Sequence, residues 1–111
     1  MIPDLETLKR KLASFSEKRE EIMFAYLFGS FVRGQTTPLS DMDIAVSVNQ
    51  EKIRGAHYPY GYEAHLTSCL MSALESNRID LVLLNEAPPL LRYQIFMQGV
   101  LVYSRDRKSV V

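Results

Sequence analysis

The chain is 111 residues long and carries 13 Lys and Arg against 13 Asp and Glu, a formal net charge of zero. That length allows a single domain, 1–111, and the charge balance argues against a protein held on nucleic acid mainly by phosphate neutralisation. Apolar residues make up 47% of the chain, enough for one core. No apolar run approaches the roughly 20 residues of a membrane span. The N-terminal Met1-Ile2-Pro3-Asp4-Leu5-Glu6 has no basic start followed by an apolar stretch, so no signal peptide is readable. Cys69 is the one cysteine, which excludes an internal disulfide framework and a zinc site built mainly from thiolates. The expectation is a small, soluble, cytoplasmic chain with no membrane partner.

Leu5, Leu8, Leu12 and Phe15 recur at three- and four-residue steps and predict an amphipathic helix over 4–19, with Pro3 at its start. Ile22 to Phe28 is a continuous apolar run ended by Gly29, which reads as a strand buried on both faces. Residues 30–34 read as a turn or short helix, and Gln35 to Ser40 as a loop. Met42 to Val48 alternates as a second strand, and 49–59 is a polar connection of undefined shape. A helix follows over about 60–77, with Leu66, Leu70, Ala73 and Leu74 as its apolar stripe. Arg78 to Leu84 is a third strand. Pro88 and Pro89 suit the first turn of a last helix that Gly99 ends, and Val100 to Tyr103 makes a fourth strand before a frayed tail. Strands alternating with helices give an α/β (α+β) fold with a small mixed sheet flanked by helices.

Three features bear on chemistry. Gly29-Ser30 closes the first strand, where a glycine lets the backbone turn sharply and come close to a ligand. If a short helix starts next, its free N–H groups and the Ser30 hydroxyl suit a phosphate, although taken alone the pair reads as an ordinary turn. Asp41 and Asp43 flank Met42 at the start of the second strand, so they share one face about 7 Å apart. Such a pair is relieved by a cation, and hard oxygen ligands favour magnesium or manganese over zinc; a capping Asp beside a solvated one is the plain alternative. Asp80 stands in an otherwise apolar strand, where a buried carboxylate wants a metal or a partner such as Arg78. If the third strand lies beside the second, Asp80 reaches the site of Asp41 and Asp43. Three carboxylates could then hold two magnesium ions about 4 Å apart, as in-line nucleotidyl transfer requires.

The joint spacing is more specific than its parts. Gly29-Ser30, ten further residues, then Asp41-Met42-Asp43 resembles the signature of the nucleotidyltransferase superfamily related to DNA polymerase beta. A chance match of four fixed residues is on the order of one in a thousand. Tyr26-Leu27-Phe28-Gly29-Ser30-Phe31-Val32-Arg33-Gly34 and Ser40-Asp41-Met42-Asp43-Ile44-Ala45-Val46 closely resemble the short, stand-alone members, the minimal nucleotidyltransferase (MNT) antitoxin family. The resemblance runs from about residue 20 to 103 and includes Asp80 as an isolated third carboxylate.

The resemblance implies that Asp41 and Asp43 bind magnesium ions bridging the triphosphate of ATP, and that Asp80 completes the metal site and orients the attacking hydroxyl. It also implies that Gly29 and Ser30 hold the β- and γ-phosphates, with Arg33 a further phosphate contact or a surface ion pair. Members of this length are commonly encoded with a helical HEPN-family ribonuclease toxin, which implies AMP transfer to a tyrosine hydroxyl of that partner. Nucleotidyl transfer to a small hydroxylated molecule, or a non-catalytic module that blocks a toxin, are the alternatives. An acceptor-binding domain is missing from the chain, so a substrate brought by a partner or shared across an oligomer is expected.

His57 and His65 read as satisfied or exposed histidines, and Cys69 as a small core residue. Tyr58, Tyr60 and Tyr62 cluster before the long helix and suit an interface, the nucleotide site or plain surface packing. Leu90, Leu91, Ile95, Phe96 and Met97 cover more than one face of the last helix, for which core packing is the default. The basic residues of 9–19 and 105–108 read as solvated faces.

Overall fold

Asp4 starts the first helix, its carboxylate accepting the Thr7 N–H at 2.7 Å. The computed structural model describes residues 4–29, 32, 34 and 41–105. Helix α1 spans Leu5–Glu17, and strands β1 and β2 span Ile22–Phe28 and Met42–Val48. A 3-10 turn at Gln50–Lys52 occupies the polar connection, initiated by the Asn49 side chain on the Glu51 N–H. Helix α2 is Tyr62–Leu74, β3 is Ile79–Leu83, α3 is Pro89–Gln98 and β4 is Val100–Ser104. The expected frayed tail, 105–109, falls outside the described residues except for Arg105, which is firmly held.

The four strands form one sheet in the order β3-β2-β1-β4. β1 runs antiparallel to β2 and β4, whereas β2 and β3 are parallel and are joined through α2, the crossover a parallel pair needs. α1 and α2 cover one face. Leu8, Leu12, Leu66, Leu70 and Leu74 meet Ile22, Leu27, Ile44 and Val46 there in the main core. Among the described residues the other face carries only α3, with Ile95 seated over Ala45 and Leu84 in a small second cluster.

β1 therefore departs from the expectation of burial on both faces. Ile22, Ala25 and Leu27 are fully buried, but Phe24, Tyr26 and Phe28 are only partly covered, because one ten-residue helix cannot roof four strands. The strands otherwise match their apolar runs, and helices end early: α2 stops at Leu74, where Glu75 takes a left-handed conformation (φ 55°) and the Ser76 N–H donates to Met71 O. No helix among the described residues is long and apolar enough to cross a membrane.

Candidate active site

Alternation along β2 sends Met42 and Ile44 into the main core and leaves Asp43 on the face that α3 only partly covers. The parallel register sets Asp43 directly opposite Asp80 and Met42 opposite Ile79. On the other side the antiparallel register sets Phe28 opposite Asp43, so Gly29 leaves β1 beside the same carboxylate. Gly29 has φ +76°, and a Cβ there would fall on Asp43 Oδ2. The glycine is thus required twice, by its backbone conformation and by the carboxylate lying against it. The Val32 N–H donates to Gly29 O at 3.2 Å.

Asp41 stands just before β2, exposed, with its Oδ1 3.8 Å from Arg78 Nη1. The Met42 N–H donates to Arg78 O at 2.8 Å, which ties the entry of β2 to the entry of β3. Arg78 therefore faces Asp41, where the sequence suggested Asp80 as its partner. Asp80 is exposed, a correction to the premise of a buried carboxylate: as the second residue of an edge strand it stands where α3 does not reach. Ser30 and Arg33 lie outside the described residues. Among the described residues, no three His, Cys, Asp or Glu side chains converge closely enough to hold a metal ion. The donor chemistry is nevertheless that of a hard cation: two carboxylates at one register, a third at the entry of the same strand, and no thiolate or imidazole beside them.

A hollow of about 610 Å3 lies on the opposite flank of α3, between Phe24, Tyr26, Arg92 and Phe96. Tyr26 and Phe96 meet with ring centroids 5.6 Å apart.

A separate polar cluster joins the α1–β1 corner to α2. The buried Glu21 carboxylate accepts from Arg19 Nε and from the Tyr62 hydroxyl, both at 2.8 Å. Burial alone would raise the Glu21 pKa, but the Tyr62 and Arg19 hydrogen bonds win and hold it below the ordinary value. Burial, and then Glu21, push the Tyr62 hydroxyl upward. Arg19 Nη2 lies 3.1 Å from His65 Nε2, and Cys69 Sγ lies 3.7 Å from that nitrogen and from Arg19 Nη1. Cys69 is therefore half-buried beside polar groups rather than a core residue, and Tyr62 is a structural anchor. Sequence patterning missed this cluster because its members lie in two segments more than forty residues apart.

The family model described as "Polymerase beta, Nucleotidyltransferase" matches residues 10–108. One similar solved structure is a toxin–antitoxin complex crystallised with AMP-PNP: TM-score 0.69 and 27% identity, covering 92% of this chain and 77% of that one. A second is a minimal nucleotidyltransferase, with TM-score 0.66 and 29% identity over 88% of this chain and 95% of that one. A third is a tri-AMPylated Shewanella oneidensis HEPN toxin in complex with an MNT antitoxin. It has TM-score 0.63 and 24% identity over 95% of this chain and 76% of that one, a likeness of fold. The comparison with curated proteins finds no match.

Proposed function

The chain belongs to the polymerase beta nucleotidyltransferase family, and from that membership we propose that it transfers AMP from ATP to a tyrosine hydroxyl of a HEPN-family toxin, acting as its antitoxin. The observation that carries the reading is the Asp43–Asp80 register pair beside the Gly29 turn. It brings a carboxylate pair and a close-approach backbone to one corner of the sheet. The AMP-PNP in the 27%-identical toxin–antitoxin structure supports an adenine nucleotide as donor. The tyrosine acceptor rests on the resemblance of the two motifs to the MNT antitoxins. ATP and such a toxin would make the reaction cytoplasmic.

Asp41, Asp43 and Asp80 would hold magnesium. Bound there, the ion would offset the charge of the triphosphate and let the three carboxylates approach one another. Gly29 would admit the phosphates to the backbone after β1, with Ser30 and Arg33 completing their contacts. Asp80, exposed at the edge, would face the acceptor and accept the hydroxyl proton as its oxygen attacks the α-phosphorus. The α–β phosphoanhydride bond then breaks and pyrophosphate leaves in line. Nothing in this chemistry requires a second domain if the partner supplies the acceptor.

Incubation with magnesium, a HEPN-family partner and ATP labelled at either the α- or the γ-phosphate tests the reading. Label should enter the partner from α-labelled ATP alone, and Asp43→Ala should lower transfer by at least two orders of magnitude. Absence of transfer with tight binding retained in Asp43→Ala would establish a non-catalytic binding module instead.

A further inference from the structure

Six large apolar side chains are exposed among the described residues, and five of them gather on one side of the sheet. Leu90, Tyr93, Phe96 and Met97 lie on α3, and Leu101 on β4 sits opposite Tyr26, against which Phe96 packs. Each is about half exposed or more, at 49–68%. Large side chains of this kind present roughly 150–250 Å2 each, so the patch offers on the order of 500 Å2. That exceeds what scattered surface residues need and is a large part of the ~800 Å2 per side of a stable protein–protein interface.

The place of the patch matters more than its size. α3 rests on Ala45, which follows Asp43 on the same face of β2 about 7 Å further along. A body laid across α3, from the flank of Arg92 and Phe96 to the opposite one, therefore reaches the Asp43–Asp80 corner. Arg92 is the one charged residue of α3, lies in the hollow beside Phe96, and makes no ion pair among the described residues.

We propose that this α3–β4 surface docks the acceptor protein, through an apolar patch on that protein bearing a carboxylate opposite Arg92. Docking there delivers the acceptor hydroxyl to Asp43 and Asp80. The inference rests on the nucleotidyl-transfer reading above and adds where the partner sits. A small acceptor would leave the patch without a use. A second copy of this chain would cover the face on which the reaction occurs, and its α3 would offer Arg92 no carboxylate.

The test is titration of the full chain with a HEPN-family partner, read beside affinity for AMP-PNP and sedimentation of the chain alone. The double variant Tyr93→Glu/Met97→Glu should weaken partner binding at least tenfold and leave AMP-PNP affinity at the wild-type value. Arg92→Glu should weaken binding by about tenfold and reduce its salt dependence. Tyr60→Glu, at a more exposed tyrosine outside the patch, should change neither. Wild-type binding and transfer that the α3 variants leave untouched would overturn the docking site alone. Variants that change only self-association would overturn it in favour of a second copy. A wild-type chain that neither binds nor modifies the partner would overturn the underlying reading as well.

Discussion

At Gly29 one hydrogen atom decides whether the Asp43 carboxylate can occupy its place. Gly29→Ala would add a methyl group where Asp43 Oδ2 lies, at a φ of +76° that an L side chain rarely adopts. The expected outcome is loss of transfer by two orders of magnitude or more with folding retained, measured by labelled-AMP incorporation beside circular dichroism. Asp43 itself was legible from two-residue spacing, since the neighbouring Met42 and Ile44 are apolar and must face the core. The reason for Gly29 was only half legible. Sequence suggests a turn after a strand, but the carboxylate that forbids a side chain comes from β2 and meets it through the sheet register.

At the scale of elements, ends are secured by groups distant in sequence. Arg105, expected in a frayed tail, donates to Ser16 O at 2.8 Å and to Glu17 O, Arg19 O and Ile22 O at 3.0–3.1 Å. It thereby satisfies carbonyls at the C-terminal end of α1 and in the turn to β1. Asn85 does the same for β2, its amide exchanging two 2.9 Å hydrogen bonds with the Val48 backbone. The Glu21 cluster fastens α2 to the α1–β1 corner, and it should be visible in acid. Glu21 has its folded pKa lowered, against burial, by Tyr62 and Arg19. Its stabilisation is thus complete above the ordinary glutamate range and lost as pH falls through the lowered value. Glu21→Gln should cost about 1–3 kcal/mol at pH 7, and the gap to the wild type should narrow steadily on acidification, as read from denaturation midpoints. Periodicity located the three α-helices and four strands of the described residues. It overran the ends of α1 and α2, because local pattern does not register a left-handed cap such as Glu75.

For the whole molecule, function follows from an uneven distribution of cover. Among the described residues two helices seal one face of the sheet and a single helix crosses the other, and Asp80 and an apolar helix surface are exposed on the same side. Magnesium and AMP-PNP together should therefore raise the unfolding temperature of the wild type by several degrees, since a ligand at a hundredfold its Kd adds about 2.7 kcal/mol. Asp43→Ala should show little of that rise in the same thermal scan. The amino-acid sequence by itself determined the α/β class, the order of the elements and the nucleotidyltransferase family. Strand and helix periods, and the fixed separation of Gly29-Ser30 from Asp41 and Asp43, are properties of neighbouring residues along one chain. Tertiary structure alone decided that β3 lies parallel to β2 with Asp80 opposite Asp43, that Asp80 is exposed, and that Leu90, Tyr93, Phe96 and Met97 of α3 face outward. Strand order and the reach of a covering helix depend on which distant segments pack together, and no local pattern encodes that choice.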